Sequence, residues 1–179
     1  TAETAAANAG GKVVVTGQSV ELADASIDAS GDSAGGEIYI GGGYQGSDPT
    51  IMNAAATTVD ENSVLRADAY VSGNGGQVVI WSDGETHFTG AASARGGASG
   101  GDAGFVEVSG HIAYVSGSVD VGADRGTGGL FLLDPLNACL AFDASSCAPG
   151  EGFADIDTIV ATLNGGGSLL VSTAAGGSD

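Results

Sequence analysis

Five stretches of the sequence repeat one pattern, and this repeat constrains the fold more than any other feature. Each stretch begins with a glycine and continues as an alternation that is rich in Val, Ile and Leu. The glycines are separated by 25, 40, 28 and 25 residues, and the period becomes about 26 when an insertion of about 14 residues is removed from the second repeat. Such a period is typical of a chain in which each repeat buries its apolar face by stacking on the next. The five glycines are Gly11, Gly36, Gly76, Gly104 and Gly129.

The residues two and four positions after each glycine are apolar in every repeat. Because side chains alternate between the two faces of a strand, these positions share one face. We therefore predict a strand after each glycine and a stack of core side chains that runs from repeat to repeat. The predicted core stack consists of Val13, Ile38, Val78, Val106, Phe131, Val15, Ile40, Ile80, Val108 and Leu133.

A second column of strands is predicted just before the glycines, with apolar or small residues inward and polar residues outward. Parallel strands stack about 4.8 Å apart, so equivalent residues of successive repeats are direct neighbours. This register predicts two ion pairs between repeats, Asp28–Arg66 and Asp68–Arg95. Exposed pairs of this kind contribute about 0.2–1 kcal/mol each, so they indicate the register more than they stabilise the fold.

Short strands, glycine-containing turns and about three strands in each repeat indicate an all-β chain folded as a parallel β-helix. An antiparallel sandwich also has short strands and many turns, but it gives no reason for side chains one period apart to match in type. We expect β-helix coils over residues 1–135, with an inserted loop at about 47–62. A cysteine-bearing loop follows at 136–153.

Residues 154–179 are expected to form a short helix and a further strand, which begins another coil or caps the stack. Apolar residues at Ile156, Ile159, Val160 and Leu163 follow helical spacing. Asp155 is the predicted N-cap of this helix, and Asn164-Gly165 is the predicted stop signal.

The net charge of −18 excludes nucleic acid as a partner, because phosphate binding needs clustered Lys and Arg. It also argues against anionic membrane surfaces. No apolar run approaches the roughly 20 residues that cross a bilayer. No signal peptide is visible and the sequence starts on Thr1 instead of Met, so we interpret the chain as a mature product or a fragment.

The two cysteines, Cys139 and Cys147, are eight positions apart. This spacing is too wide for C-x-x-C redox chemistry, and no Cys or His at zinc-ligand spacing lies nearby. A local disulfide is favoured over two free thiols, and it would imply an oxidising compartment.

The phrases GGGYQG, GNGGQVVIWSDGETHFTGAASARGG, GDAGFVEVSG and GGLFLLDP occur in this order and resemble one known family. They look like the filamentous-haemagglutinin-like exoproteins of two-partner secretion in Gram-negative bacteria, over about residues 34–135. The resemblance implies a right-handed parallel β-helix that is exported through an outer-membrane partner and used in adhesion or biofilm matrix. The family's amino-terminal secretion domain is not evident, and the cysteine loop is not part of the family pattern.

Several alternatives remain open. Parallel β-helices also include enzymes that cleave polysaccharides, and Asp83, Glu85 and His87 lie close together in sequence, although a solvated corner supplies the same residues without chemistry. Stacking of the ends into an extracellular filament is a further alternative. Tyr44 and Trp81 are candidates for surface contact with sugars, although packing under the insertion is favoured.

Cation binding and the outer face of the first strands complete the predictions. GGDAG at 100–104 is only a fragment of a calcium-binding repeat, so we expect no cofactor and at most weak Ca²⁺ binding by the acidic surface. The outward row after the glycines is unusually apolar, and we expect the inserted loop to cover it. This row consists of Val14, Tyr39, Val79, Glu107 and Leu132.

Together these observations predict a non-enzymatic segment of a secreted or surface-displayed exoprotein. We expect it to act in cell adhesion or biofilm matrix. The partners would be a secretion protein in the outer membrane and a glycan or protein receptor on a host or in the matrix. Self-association through the coil ends is the other expected contact.

Overall fold

The computed structural model describes residues 8–173, which form fourteen strands and one helix. Most strands have three or four residues, whereas β7 and β9 have 12 and 11. The strands are β1 Lys12–Val15, β2 Ser19–Leu22, β3 Ser26–Asp28, β4 Glu37–Ile40, β5 Ala56–Val59, β6 Val64–Arg66, β7 Gln77–Phe88, β8 Ala91–Ser93, β9 Phe105–Val115, β10 Ser118–Asp120, β11 Leu130–Leu133, β12 Ala138–Ala141, β13 Gly152–Asp155 and β14 Ser168–Val171, and the helix is α1 Ile156–Asn164.

All strand pairings within the described residues are parallel, and they form two sheets. The larger sheet has the order β1-β4-β7-β9-β11-β14, and the second halves of β7 and β9 continue into the order β2-β5-β7-β9-β13-β12. The smaller sheet has the order β3-β6-β8-β10. The chain is therefore mostly β, with parallel sheets in which strands one repeat apart are neighbours.

The predicted register is confirmed. Val13 pairs with Ile38, Ile38 with Val78, Val78 with Val106, and Val106 with Phe131. Eight of the ten predicted core residues are buried, and Val13 and Val15 at the outer strand are half-buried and pack against the same core. Apolar side chains thus stack on their own equivalents from repeat to repeat, which excludes water from the interior.

The anchor glycines stack directly on one another. Each of the last four anchor glycines is followed by a residue whose backbone amide donates to the carbonyl oxygen of the previous anchor glycine, at 2.8–3.1 Å. The pairs are Glu37 to Gly11, Gln77 to Gly36, Phe105 to Gly76 and Leu130 to Gly104. A Cβ on Gly76 would overlap the Gly36 carbonyl oxygen. Close approach of the two backbones is therefore the reason that glycine occupies this position in the last four repeats.

The insertion lies earlier in the chain than expected. It spans the loop between β4 and β5, residues 41–55, and includes the 3₁₀ turn Tyr44–Gly46. Residues 56–59, which were expected in the loop, form β5 because Thr57 and Val59 alternate inward between β2 and β7. A second small core lies under the loop, where Ile51 packs with Tyr39 and Val79.

The segment after residue 135 also contains regular structure. β12 lies within the predicted cysteine-bearing loop, and β13 begins at its end. β13 pairs with β9 on one side and with β12 on the other. The helix prediction is confirmed: the Asp155 side chain accepts from the Asp157 amide, and the helix ends at Asn164 with Gly165 as its C-cap. The buried face of α1 differs from the apolar spacing, however, because Val160 and Leu163 are exposed and Thr158 and Thr162 are buried.

The two predicted ion pairs differ from the structure, although their residues are neighbours as expected. Asp28 lies beside Arg66 in register, but no salt bridge within 4.0 Å joins them among the described residues; Asp28 accepts from the Tyr70 hydroxyl at 2.9 Å instead. Arg95 donates its backbone amide to Asp68, while its guanidinium pairs with two acids further along the stack. These are Asp120 at 2.7 Å and Asp124 at 2.8 Å.

Candidate functional site

The loop 41–55 is fastened to the sheet by a buried carboxylate. Glu107 lies on β9 in the outward row, and its side chain is fully buried. Both of its carboxylate oxygens accept from the backbone amide of Gln45, at 3.1 and 3.2 Å. Gln45 has φ of 50°, a left-handed conformation that is unusual for a residue with a side chain. The contact to Glu107 therefore holds the loop in a specific backbone geometry.

Glu107 is also the most perturbed acid of the described chain. Burial raises the pKa of Glu107 to about 7; the nearby carboxylate of Asp134 adds to this rise, and hydrogen bonds from Gln45 and Ser109 oppose it. The carboxyl is therefore partly protonated near neutral pH.

Gln45 connects this buried acid to a second carboxylate. Its side-chain amide donates to Oδ2 of Asp134 at 2.6 Å. The other oxygen, Oδ1, is buried and has no hydrogen-bond partner within residues 8–173. A buried acceptor without a donor costs about 1–3 kcal/mol, so Asp134 is held at the groove wall at a cost to the fold.

Trp81 forms the wall between the loop and the strands. A Cβ on Gly42 or Gly46 would overlap its indole ring, so the loop backbone lies directly against the ring. The indole nitrogen donates to Oδ1 of Asp83 at 3.2 Å, and the same oxygen accepts from Asn53 at 2.9 Å. These bonds orient the Asp83 carboxylate, and its second oxygen receives no bond from the described residues.

These side chains line an open groove of about 440 Å³ on the outer face of the sheet. Its residues come from successive repeats, because Trp81 and Asp83 lie on β7, His111 lies on β9, and Asp134 follows β11. Lys and Arg are absent from the lining. The lining residues are Gln45, Trp81, Asp83, Gly110, His111, Asp134, Pro135 and Leu136.

The two predicted contact residues occupy different positions. Trp81 is half-buried and packs under the loop, as favoured, and it still lines the groove. Tyr44 is 45% exposed, and its ring makes a T-shaped contact with the ring of Phe105, with the centroids 5.6 Å apart. Coverage of the apolar row is confirmed for Tyr39 and Val79, whereas Val14, at the outer strand, remains exposed.

The acids considered for catalysis are separated by a register irregularity in β7 between Ser82 and Glu85. Asp83 lines the groove, whereas Glu85 pairs with His87 at 3.4 Å. The His87 ring stacks on Tyr114, with the centroids 4.5 Å apart. This arrangement does not bring the three side chains to one point.

The other predicted sites have structural contacts. Cys139 and Cys147 form a disulfide with a Cα–Cα distance of 5.8 Å, which confirms the predicted pairing. In the GGDAG stretch the Asp102 carboxylate accepts from the Thr127 amide at 2.7 Å. Among the described residues, no group of three or more His, Cys, Asp or Glu side chains is placed to hold a metal ion.

Comparison with known proteins leaves the family open. No protein-family model matches the sequence, and no curated protein matches it either. No helix within residues 8–173 has the length and apolar character needed to span a membrane.

Sequence reasoning missed the residues that build the groove around Trp81. Gln45, Asn53 and Asp134 lie in loops, where no periodic pattern indicates which way a side chain points. Glu107 carried a signal, because it is the single charge in an otherwise apolar row. A lone charge in a row expected to be covered indicates a buried polar partner.

Proposed function

We propose that this chain is a section of a right-handed parallel β-helix, and that it serves as a structural and adhesive segment of an exoprotein at the bacterial surface. The stacked interior acts as a scaffold, and the loops that leave it make the contacts. The segment carries out no chemistry.

The stacking of equivalent residues supports this proposal more than any other observation. Three columns of parallel strands are each in register one repeat apart, as the pairs Val13–Ile38, Thr57–Thr86 and Leu65–Ala92 illustrate. Parallel crossover connections are almost always right-handed, which favours that hand for the helix. Such a scaffold grows along its axis by adding repeats, so it suits a protein that projects loops away from a cell.

Two further observations favour an extracellular location. The Cys139–Cys147 disulfide is stable in oxidising compartments. The net charge of −18 keeps a glycine-rich β chain soluble and separate during export. We propose an outer-membrane secretion partner on the strength of the family resemblance.

The connection between β12 and β13 supplies the most exposed apolar side chain of the described residues. Phe142 is 72% exposed, and Leu140 beside it is 44% exposed. Phe142 and Leu140 lie two positions apart beside the disulfide, and neighbouring exposed apolar side chains can form part of an interaction surface. We propose that this loop and the loop 41–55 are the adhesive surfaces, with a host or matrix glycan or protein as the receptor.

Bead adhesion tests this function. Beads coated with the purified chain are expected to attach to epithelial cells or to biofilm matrix more than beads coated with a globular protein of similar net charge. Phe142→Ser is expected to reduce attachment, and Val14→Ser, at another exposed apolar side chain, serves as the matched control. Equal attachment of both kinds of bead would reject the adhesive role.

A further inference from the structure

We propose that the groove beside Trp81 binds an uncharged oligosaccharide. This inference deepens the proposed adhesive function by naming a class of ligand, and it rests on that function. The groove volume of about 440 Å³ lies in the range of small-ligand sites, about 300–1,000 Å³.

One carboxylate of the groove is arranged as an acceptor for a sugar hydroxyl group. In Asp83, which is exposed, one oxygen is held by Trp81 and Asn53, and the other is free of bonds from the described residues. Asp83 is thus oriented through one oxygen and offers the other, and hydroxyl groups of a sugar are donors to such oxygens. In Asp134, Oδ2 is held by Gln45 and Oδ1 is buried, so this side chain contributes negative charge to the groove wall.

The apolar lining complements this acceptor. The Trp81 ring, Pro135 and Leu136 all border the groove. A pyranose ring presents C–H groups on its faces and hydroxyl groups around its edge, so a site for it needs an apolar or aromatic surface beside polar acceptors. Trp81 cannot move aside freely, because Gly42 and Gly46 pack directly against its ring.

The charges of the groove decide which saccharides fit. The lining contains two carboxylates, and it contains neither Lys nor Arg. An acidic saccharide would place its carboxylates near Asp83 and Asp134 without a cation to compensate, which is unfavourable. Neutral sugars supply donors without adding charge, so they are the class that the groove fits best. A cationic peptide would also be attracted, but through charge alone.

Trp81 provides a direct measurement, because it is the single tryptophan of the chain. The purified chain is titrated with cellohexaose, maltohexaose and mannohexaose while the tryptophan emission is recorded. We expect a saturable change with at least one of them, equal at about 0.1 M and about 1 M NaCl because no ion pair is formed. Hexagalacturonate is expected to give no change.

The decisive variant is Asp83→Asn. Asparagine keeps an oxygen to accept from Trp81 and Asn53 but replaces the free acceptor with an amide donor, so we expect affinity to fall about tenfold or more. Asp32→Asn removes an exposed carboxylate outside the groove and is expected to bind as the parent chain does. Matching melting temperatures show that both variants are folded.

Several results would overturn the inference. These are the absence of binding to every neutral hexasaccharide, equal affinity of Asp83→Asn and the parent, or binding only to hexalysine that disappears at high salt. New reducing ends would overturn the assignment to a binding site without chemistry.

The two experiments also distinguish the groove from the adhesive function. If coated beads adhere but no hexasaccharide binds, the groove is rejected and the adhesive function stands. If a hexasaccharide binds but beads do not adhere, the groove stands and the function is rejected.

Discussion

At Gly76 the backbone of one repeat lies directly on the backbone of the previous one. The Gln77 amide donates to the Gly36 carbonyl oxygen at 2.8 Å, and a Cβ on Gly76 would overlap that same oxygen. The glycine content of the chain therefore reflects a steric requirement that recurs with the repeat. Gly11, the first anchor, differs from the others because a Cβ there would meet nothing within 4 Å.

This contrast gives a matched pair of substitutions. Gly76→Ala must push two stacked backbones apart, so we expect it to lower the free energy of unfolding by about 3 kcal/mol. Gly11→Ala adds the same atom in open space and is expected to be neutral, or to stabilise by about 0.4–1 kcal/mol through the unfolded chain. Chemical denaturation of both variants measures the difference. If both variants unfold alike, the glycine stack is not the constraint that we describe.

Glu107 gives the fold a pH dependence of a known sign. Its pKa is about 7 in the folded chain and near 4.5 when it is unfolded. A raised folded pKa means that the contribution to stability is fully present below pH 4.5 and is lost as the pH rises through about 7. The shift corresponds to about 3 kcal/mol between these limits.

The variant Glu107→Gln isolates this contribution. It keeps an acceptor for the Gln45 amide and cannot ionise, so we expect its stability to fall less than that of the parent chain between about pH 4.5 and about pH 7. Glu21→Gln removes an exposed carboxylate on β2 and serves as the control for net charge. Melting curves over this range decide the question, and parallel curves for the parent and Glu107→Gln would show that burial of Glu107 does not govern the effect.

Helix α1 takes the place of a strand at the edge of the smaller sheet. The Thr158 hydroxyl donates to the Gly117 carbonyl oxygen at 2.6 Å. The Thr162 hydroxyl lies 3.0 Å from the Val119 carbonyl oxygen and 3.0 Å from the Thr158 carbonyl oxygen of its own helix, so its proton is shared between the two. The Val119 carbonyl belongs to β10, and the Gly117 carbonyl belongs to the residue before β10. In a longer sheet, backbone amides of a further strand would donate hydrogen bonds to these carbonyl groups. Two threonines one turn apart therefore satisfy an exposed sheet edge.

The buried face of α1 is tested by two opposite substitutions. Thr162→Val removes the hydroxyl at nearly constant volume and leaves the Val119 carbonyl without its donor, so we expect a loss of about 1–3 kcal/mol. Val160→Thr adds a hydroxyl on the exposed face and is expected to change stability by less than about 0.5 kcal/mol. Thermal melting of both variants measures the two effects. The reverse order of effects would mean that the apolar face of the helix is the buried one.

These elements show where prediction from sequence succeeds and where it stops. The strands after each anchor glycine could be predicted with their register, because positions such as Ile40 and Ile80 must match when they stack. The buried face of α1 could not be predicted, because the spacing of apolar residues does not reveal threonine hydroxyl groups that bond to carbonyl groups at a sheet edge. The groove could not either, because Gln45 and Asp134 reach it from loops, whose side-chain directions follow from tertiary contacts alone.

At the end of the described stack that carries β12, β14 and α1, the three strand columns differ in what they offer to a further strand. Within residues 8–173, β14 and β12 each pair on one side only, whereas α1 covers the outer edge of β10. A second copy stacked on this end would find two strand columns available and the third covered by a helix. The helix over one of the three columns interrupts the strand pairing that a uniform filament of identical copies would need at this end.

The net negative charge of the chain destabilises the folded state, whereas the stacking of repeats stabilises it. A net charge of −18 on 179 residues repels itself in the compact state, and Arg95 compensates only the acids around it. The Debye length falls from about 30 Å at 0.01 M salt to about 3 Å at 1 M, so added NaCl screens this repulsion. We therefore expect the melting temperature to rise with NaCl, by about 2–4 °C for each kcal/mol of repulsion removed.

Calcium and magnesium distinguish screening from a specific site. CaCl₂ and MgCl₂ at equal ionic strength are expected to raise the melting temperature equally, since the described residues bring together no group of acids that could hold a metal ion. Selective Ca²⁺ binding requires six to eight oxygen ligands at one point, which dispersed carboxylates do not supply. A larger rise with CaCl₂ that a chelator reverses would establish a specific calcium site and contradict screening. Equal rises would mean that the acidic surface binds divalent cations only through its overall charge.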